Sequence, residues 1–474
     1  MKKITKIVFA LMFLIVLSDQ TPAQIEVSGT IINGNWLEAN SPYIVVGDIF
    51  VASLTIEPGV MIKFNGPYVF EVAGTLVAAG NEQNPIIFTT NNPELFWQGI
   101  YINAAQSTLL NYCRIEWSQN SGIRIKSSSP VINFCRLIYN FAVSEGMPGS
   151  GGKGSAIHVE SGSNVLINNC VLDSNLVLSA SYYNRGGAIY CSGDNADIYV
   201  RNCIIAHNEI STYPGHSDGA GIYAENGGVA IVENCVITDT YVDAPGVVNG
   251  GGVFIGYPSY VGIVNSIIFG NGEKSFAFDF AADSSQLEVY YSCIDYGYPE
   301  ESIISNNPLF ADEKYNLLDQ ISPCIDRGAP DTTYNDPEDQ GNPGYAVSPA
   351  LGSIRNDMGA YGGPNSAQLP YIVSPITSVQ SVKDFQPLEF VLSQNYPNPF
   401  NSKTVISWQV GATGQVDLTV YNLLGQKVAT LVSEMQPAGY HQLEWDAAHL
   451  PSGVYYYLIK AGEYQDVKKM ILLK

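Results

Sequence analysis

The sequence predicts an all-β protein in which a solenoid of stacked β coils is followed by a small C-terminal β-sandwich. Three observations support this fold class. A short phrase built around cysteine returns seven times between Tyr112 and Asp295. A second phrase, led by glycine, precedes five of these copies. Beyond Leu388 the pattern changes to longer strands of alternating polar and apolar residues, joined by glycine-containing turns.

The cysteine phrase defines an internal repeat. Its copies follow one another at steps of 22, 35, 33, 32, 31 and 27 residues, so the period is loose although the phrase itself changes little. A phrase that recurs at this interval is the signature of a solenoid. The copies are Tyr112–Ile115, Phe134–Leu137, Asn169–Leu172, Asn202–Ile205, Asn234–Ile237, Asn265–Ile268 and Ser292–Asp295.

The residue types within each repeat indicate β structure. Apolar residues are β-branched or aromatic and alternate with polar ones, as in Asp197–Arg201. No stretch of helix length shows the 3.6-residue apolar period, so helical repeats are excluded. The glycine-led phrases add a second short strand to each coil. They begin at Gly122, Gly154, Gly187, Gly221 and Gly252.

Stacked coils place equivalent side chains about 4.8 Å apart. We therefore expect the recurring cysteines to form an inward ladder. A second ladder is expected five residues later, at a corner where asparagine tolerates left-handed φ and can bond to its neighbour above. Its members are Asn140, Asn175, Asn208 and Asn271, with Ser118 and Thr240 at the same place in two other coils.

The eight cysteines have two interpretations. Export would favour a disulfide framework. Parallel Cβ atoms at about 4.8 Å are too far apart for a disulfide, which needs about 3.5 to 4.5 Å. Ser266 also replaces one member of the series. We expect buried thiols that act as small apolar residues.

Phrases such as Gly187–Tyr190 and Asn202–Ile205 resemble those of right-handed parallel β-helix proteins. The resemblance covers Ile25 to Pro364 and implies a right-handed parallel β-helix. On this basis residues 24–120 are capping coils, 121–312 are central repeats and 313–367 are a closing segment. The closing segment carries the phrases Ser322–Asp326 and Asp357–Tyr361 that many exported members share.

The N-terminus predicts export. Three lysines, at positions 2, 3 and 6, precede an apolar run from Ile7 to Leu17 and a small-residue cleavage site, so residues 1–23 are expected to be a signal peptide. No other run is long enough for a transmembrane segment. The net charge of −22 argues against nucleic acid and anionic lipid as partners, but it does not exclude a polysaccharide.

The segments after the asparagine ladder are long and uneven, and insertions at one edge of a solenoid commonly form its binding face. Tyrosine rings stack on sugar faces while carboxylates take hydroxyls. This predicts a glycan-binding edge; the alternative is a tyrosine-rich surface that only faces solvent. The candidate ligand-binding residues are Tyr182, Tyr183, Tyr213, Tyr241 and Asp243.

An enzyme acting on acidic polysaccharide is the alternative function. A polysaccharide lyase needs a base and a cation, and an inverting glycosidase needs paired carboxylates. The candidates are Lys153, Arg185, His216 and Asp218, although no catalytic motif of the β-helix pectinases matches residue by residue. His158 and His207 lie in strand-like repeats and are interpreted as structural.

The closing segment is rich in acidic residues. Asp331, Asp336 and Asp339 are candidate calcium ligands because Ca²⁺ prefers oxygen. Their spacing does not fit an EF-hand, and a solvated acidic loop is the other interpretation. No other cofactor is predicted.

Residues 368–388 read as a proline-containing linker before the C-terminal domain, residues 389–474. Asn395–Asn401, Tyr421–Gly425 and Ser452–Tyr455 resemble the C-terminal sorting domain of type IX secretion. The resemblance implies that this domain engages the secretion machinery and directs the chain across the outer membrane. We therefore expect a secreted or surface-displayed glycan-binding β-helix. A purely structural surface protein is the third interpretation.

Overall fold

The computed structural model describes most of the chain in two compact units, residues 1–371 and 372–474. Among the described residues, no helix is long and apolar enough to span a membrane. The described ranges are 25–92, 96–143, 152–179, 183–212, 216–243, 248–249, 251–271, 276–278, 286–295, 302–312, 314–367, 369, 391–392, 395, 398–410, 414–423, 425–436, 439–462 and 464–473.

The first unit is a solenoid of parallel strands, with three strands per coil. Five strands of the first sheet coincide with the glycine-led phrases, and one more lies at each end of the series: Ile100–Asn103, Ile123–Lys126, Ile157–Val159, Ile189–Ser192, Ile222–Glu225, Val253–Ile255 and Phe276–Phe278. Those of the second sheet are Ser107–Asn111, Val131–Asn133, Ser163–Asn168, Ala196–Arg201, Val229–Glu233, Tyr260–Val264 and Gln286–Tyr290. Those of the third sheet are Ile86–Thr90, Cys113–Glu116, Arg136–Ile138, Val171–Asp173, Ile204–Ala206, Val236–Thr238, Ile267–Phe269 and Cys293–Ile294.

The N-terminal coils use longer strands that bend around the corners. Tyr43–Ile56 pairs in parallel with all of its neighbours: Ile25–Ile31, Gly34–Trp36, Met61–Phe64 and Phe70–Ala79. Aromatic residues fill this part of the core, and the rings of Phe64 and Trp97 stack at 4.1 Å. A short 3₁₀ helix, Glu38–Asn40, connects two of these strands.

The cysteine ladder is confirmed and its contacts are now defined. The backbone N–H of Cys113 donates to Sγ of Cys135, and the pattern continues from Cys135 to Cys170 and from Cys170 to Cys203, at 3.3–3.4 Å. Ser266 serves the same purpose, because its Oγ accepts from the N–H of Cys235 at 3.1 Å. All eight cysteines are buried, and none of them forms a disulfide.

One alignment of the repeat was wrong by a residue. Cys293 pairs with Ile267, an outward position, whereas Oγ of Ser292 accepts from the N–H of Ser266 and so takes the ladder place. The outward Cys293 is still buried because the closing segment covers it with Cys324 and Tyr315.

The stacked amides of the corner ladder are confirmed, but the expected left-handed φ was wrong by one residue: it belongs to the residue before each member, such as Tyr139 and His207. Nδ2 of Asn140 donates to Oδ1 of Asn175 at 3.0 Å, and Nδ2 of Asn175 donates to Oδ1 of Asn208 at 2.9 Å. The two substitutes each bond to one neighbour in the ladder: Oγ of Ser118 donates to Asn140 and Oγ1 of Thr240 donates to Asn271, both at 2.9 Å. The side chains that form this ladder are fully buried.

The long segments after this ladder form additional strands, which we call the lateral extension. One parallel sheet, the outgoing lateral sheet, contains Phe141–Val143, Leu176–Ser179, Glu209–Thr212 and Tyr241–Asp243. A second, the returning lateral sheet, contains Tyr183–Arg185, His216–Asp218 and Val248–Asn249. The lateral extension has a small core of its own, formed by Ala142, Val177, Ile210 and Ala220. The insertions therefore stack in register, coil upon coil.

The closing segment runs along the outer flank of the third sheet. Tyr315, Met358, Ala360 and Tyr361 pack over the outward side chains of this sheet, including Val236. Asparagines that lead the cysteine phrases hold it by side-chain hydrogen bonds. Asn169 donates to the backbone oxygen of Asn365, and Asn202 donates to the backbone oxygens of Ala360 and Gly362. Asn234 donates to the backbone oxygen of Asp357. The side-chain oxygen of Asn265 accepts from the backbone N–H of Ala329.

The second unit contains two antiparallel sheets around a core that includes Trp408 and Tyr457. Asn395, the first residue of the phrase Asn395–Asn401, bonds to a strand of each sheet. Its amide donates to Oγ1 of Thr404, and its backbone N–H donates to the hydroxyl of Tyr457. One sheet contains Val391–Leu392, Lys403–Val410 and Gly439–Asp446; the other contains Gly414–Asn422, Lys427–Gln436, Gly453–Ala461 and Tyr464–Leu472.

Candidate functional site

A group of partly exposed aromatic rings lies where the third sheet meets the outgoing lateral sheet. Trp117 and Tyr139 follow adjacent strands of the third sheet in left-handed backbone conformations, and their rings stack at 5.0 Å. The ring centre of Phe141 lies 6.4 Å from that of Trp117 and 5.0 Å from that of Phe96. We call Phe96, Trp117, Tyr139 and Phe141 the aromatic cluster. Tyr139 is 43% exposed, so part of its ring faces solvent.

Charged side chains border the aromatic cluster. Arg114 forms an ion pair with Glu116 at 2.9 Å, and Arg136 lies 3.7 Å from Asp173. Burial raises the pKa of Tyr139, and the carboxylate of Asp173 raises it further. The phenol therefore stays protonated and can donate a hydrogen bond. Apolar rings beside fixed donors and acceptors are what a sugar ring requires.

The outgoing lateral sheet continues this surface across the coils. Its register places Phe141, Leu176, Glu209 and Tyr241 in one row, which spans about 14 Å for three coil steps of about 4.8 Å. Tyr241 is 46% exposed, and its hydroxyl donates to Glu209 at 2.6 Å.

The other residues predicted for sugar binding are only partly described. Tyr183 and Asp243 have their backbones in strands of the two lateral sheets, paired with His216 and Ser211 respectively. Tyr182 and Tyr213 lie outside the described residues. Their binding role stays a prediction.

All four candidate catalytic residues lie in or beside the returning lateral sheet, and three of them form one row. Lys153 pairs with Arg185 and Arg185 with Asp218, on successive coils. His216 is two residues from Asp218 on the same strand, and the structure describes its backbone but not its side chain. The sequence could name these residues but not place them in one row.

The row of Lys153, Arg185 and Asp218 is linked to the first sheet by the buried carboxylate of Glu225, which Arg185 contacts. Nη1 of Arg185 donates to both oxygens of Glu225, at 2.6 and 2.7 Å. The hydroxyls of Tyr190 and Tyr223 also donate to Glu225. Burial and the charge of Glu225 raise the pKa of both phenols, so they remain donors. Glu225 therefore accepts hydrogen bonds from one guanidinium and two phenols.

The two histidines interpreted as structural have different surroundings. Burial, followed by the charges of Arg124 and Lys153, lowers the pKa of His158 to about 3, so this imidazole is neutral near pH 7. Its ring meets that of Tyr190 edge to face at 5.0 Å. His207 places Nδ1 2.9 Å from Asp173 and Nε2 3.2 Å from the hydroxyl of Tyr315, and so joins the third sheet to the closing segment.

The three candidate calcium ligands each have a structural partner. Asp331 accepts from the N–H of Thr333 and caps the 3₁₀ helix Thr332–Tyr334, and Asp339 accepts from the N–H of Gly341. Asp336 is buried and accepts from the N–H groups of Asp357 and Gly363. Within the described ranges no group of three or more His, Cys, Asp and Glu side chains could hold a metal ion. Calcium binding stays a prediction without support from this geometry.

Comparison with known families agrees with the parallel coils and the separate C-terminal sandwich. The model described as "Right handed beta helix region" matches residues 52–205 and 187–310. The chain belongs to this right-handed β-helix family. The model described as "Secretion system C-terminal sorting domain" matches residues 394–473 of this β-helix protein. No curated protein and no solved structure matches the chain.

The sorting domain makes this an exported β-helix protein that reaches the cell surface or is secreted, and it implies contact with the type IX secretion machinery. The predicted fold class and destination are confirmed. The sequence reasoning missed the aromatic cluster and Glu225. A usable signal existed for the first: Trp117 and Tyr139 directly precede Ser118 and Asn140 of the corner ladder, where other coils carry Ser174 or His207.

Proposed function

We propose that this exported β-helix protein binds extracellular glycans along the surface formed by the aromatic cluster and the row from Phe141 to Tyr241. The exposed Tyr139, stacked on Trp117 beside Asp173, is the observation that carries the proposal. Rings contribute apolar contact to sugar faces, and carboxylates and phenols take the hydroxyls.

A parallel solenoid suits a polymeric ligand because equivalent positions repeat at each coil. Tyr241 and Glu209 again place a phenol beside a carboxylate, as Tyr139 and Asp173 do. Glu209 lies two coils and Tyr241 three coils away from Phe141. A chain of sugars that follows the row meets several such contacts, each of them weak. Linked weak contacts give useful retention on a polymer through effective concentration.

The test uses the exported chain, from Gln24 onward, against immobilised neutral and uronate-containing polysaccharides. Retention on at least one polymer supports the proposal, and Tyr139→Ala should weaken it by about three- to tenfold, the value of an aromatic contact. Tyr257→Ala is the matched control, because Tyr257 is 51% exposed and lies outside the row. Equal retention of both variants would refute the assignment to this surface.

The same samples decide between binding and the alternative, cleavage of acidic polysaccharide. Polymer length is measured after incubation with the unmodified chain. Shortening that disappears in Lys153→Met and Asp218→Asn would establish an enzyme whose site lies in the row of the returning lateral sheet. Retention with unchanged polymer length supports a binding module. Absence of both effects favours a structural surface protein.

A further inference from the structure

The eight cysteines serve different parts of the first unit. Cys191 lies on the first sheet, in the strand Ile189–Ser192. Cys293 lies on the last strand of the third sheet, and Cys324 lies in the closing segment about 30 residues later. The other five form the ladder: Cys113, Cys135, Cys170, Cys203 and Cys235.

Cys293 faces the closing segment and not the inside of its coil. Ser292 takes the ladder place, which leaves Cys293 at an outward position in register with Ile267. There it packs with Cys324 and Tyr315 in one apolar cluster. Both cysteines are 0% exposed. The two thiols are therefore enclosed together between the third sheet and the segment that covers it.

Backbone hydrogen bonds hold both cysteines in place. The N–H of Cys293 donates to the oxygen of Ser266 at 2.8 Å. The N–H of Cys324 donates to Oγ of Ser322 at 3.2 Å, and its oxygen accepts from the N–H of Met358 at 3.0 Å. A hydrogen bond with Cys324, and then burial, raise the pKa of the Cys293 thiol. The contact between the two thiols is thus a fixed feature of the docked closing segment.

The distance that excludes disulfides within the ladder does not apply to this pair. Ladder cysteines are equivalent positions of stacked coils, so their Cβ atoms point in parallel about 4.8 Å apart. Cys293 and Cys324 belong to different elements, one a strand and the other an irregular segment that packs against it. Side chains that meet in this way can reach the Cβ separation of a disulfide, about 3.5 to 4.5 Å.

We propose that Cys293 and Cys324 are joined by a disulfide after export, and that this bond fastens the closing segment to the third sheet. The C-terminal sorting domain directs the chain to the cell surface or the medium. Disulfides form and persist in such oxidising surroundings. The two thiols of this structure are the reduced state of the pair.

The oxidant is a second disulfide, carried by a thiol oxidoreductase or by a small oxidised thiol. One cysteine attacks it as a thiolate, forms a mixed disulfide and releases one thiolate of the oxidant. The other cysteine attacks the mixed disulfide and releases the second thiolate. The pair loses two protons and two electrons, and the oxidant becomes two thiols. Because the pKa of Cys293 is raised once the closing segment covers it, the first attack takes place before docking.

A bond at this place complements the asparagine contacts of the closing segment. Asn202 and Asn234 hold the later part of the segment, residues 357–362. The disulfide holds the earlier part, beside the last coil. It closes a loop of about 30 residues, and a cross-link of this length stabilises a fold by restricting the unfolded chain.

The test uses the chain recovered after export, from the cell surface or the medium. Its thiols are alkylated with iodoacetamide in denaturant without reductant, and its peptides are mapped by mass spectrometry. We expect label on every cysteine except Cys293 and Cys324, whose peptides are found joined. Dithiothreitol before alkylation should separate these peptides and place label on both. Label on Cys293 and Cys324 without reductant, or a link from either to a ladder cysteine, would overturn the proposal.

Thermal unfolding tests the stabilising role separately. Reduction of the bond should lower the melting temperature of the first unit by a few degrees. Cys324→Ser should start at the lower melting temperature and not respond to dithiothreitol; if this variant does not fold, Cys293→Ser replaces it. Cys191→Ser is the matched control, because Cys191 is equally buried and should leave the linked peptides and the effect of reduction unchanged. An unmodified chain whose melting temperature ignores reduction would overturn the role assigned to the bond.

Discussion

The side-chain amide of Asn202 donates to the backbone oxygen of Gly362 at 2.6 Å, across 160 residues of sequence. It also donates to the oxygen of Ala360 at 3.1 Å. Asn202 is 2% exposed and has a φ of 50°. The residue therefore has two tasks: it forms the left-handed corner before Cys203, and it fastens the closing segment to the third sheet.

We expect Asn202→Gly to loosen the closing segment without disturbing the corner, since glycine accepts positive φ. The lost bonds leave buried carbonyl oxygens unpaired, which costs about 1–3 kcal/mol. Limited proteolysis should then cut residues 314–367 faster. Asn226→Gly is the control, because Asn226 also has positive φ, 54°, but is exposed. Equal cleavage of the two variants would contradict this role.

The corner ladder predicts that the stability of the protein depends strongly on the hydrogen-bonding groups of the Asn175 side chain. Its Nδ2 donates to Asn208 and to the oxygen of Leu137, and its Oδ1 accepts from Asn140. Asn175→Asp removes the donors and buries a charge, so it should cost several kcal/mol or prevent folding. Asn175→Thr should be milder, because Thr240 already fills this place in another coil. Urea unfolding of both variants measures the difference, and a less stable Thr variant would contradict the ladder account.

The cysteine ladder makes an analogous prediction about a hydrogen-bond acceptor. Sγ of Cys170 accepts from the buried N–H of Cys135 at 3.4 Å. Cys170→Ser keeps an acceptor, as Ser266 does naturally. Cys170→Ala leaves the N–H unpaired, which costs about 1–3 kcal/mol. We therefore expect the serine variant to be the more stable one in urea unfolding, although alanine is the more apolar residue. Greater stability of the alanine variant would show that the thiol acts through packing alone.

The parts of the fold that the sequence predicted are those in which each coil repeats the same local chemistry. Asn140, Asn175 and Asn208 could be recognised as a ladder because stacking turns equal sequence position into spatial contact. The error at Cys293 arose where the last step shortens and a neighbouring serine competes for the same place. Local pattern could not decide between Ser292 and Cys293, because either side chain can accept the bond.

The candidate site was less accessible to sequence reasoning because it depends on contacts between different elements. Lys153 and Arg185 become neighbours only when the returning lateral strands pair in register, and the insertions before them differ in length. Glu225 is needed by Arg185, 40 residues away, and no repeat phrase links the two. The path of the closing segment along the third sheet likewise rests on side chains such as Asn202, whose partners lie outside the repeats.

Two buried carboxyls predict that stability falls as pH rises. Burial raises the pKa of Asp336 to about 8 and that of Asp357 to about 7, and repulsion from Asp357 adds to the effect at Asp336. Backbone N–H groups that donate to both carboxyls oppose the shift. In the unfolded chain an aspartate titrates near pH 3.9. Between about pH 4 and pH 8 the folded state therefore holds protons that the unfolded state has released, and the free energy of unfolding declines with increasing pH.

The expected result is a melting temperature of the first unit that falls by a few degrees from pH 5 to pH 9, on the order of what a 1–2 kcal/mol change produces. Asp336→Asn combined with Asp357→Asn should flatten this decline, because neither amide titrates. Asp331→Asn is the control: hydrogen bonds from Thr333 lower the pKa of this exposed residue, so its titration lies below the tested range. A melting temperature that rises toward pH 9 would mean that the backbone donors outweigh burial and keep both carboxylates ionised in the folded state.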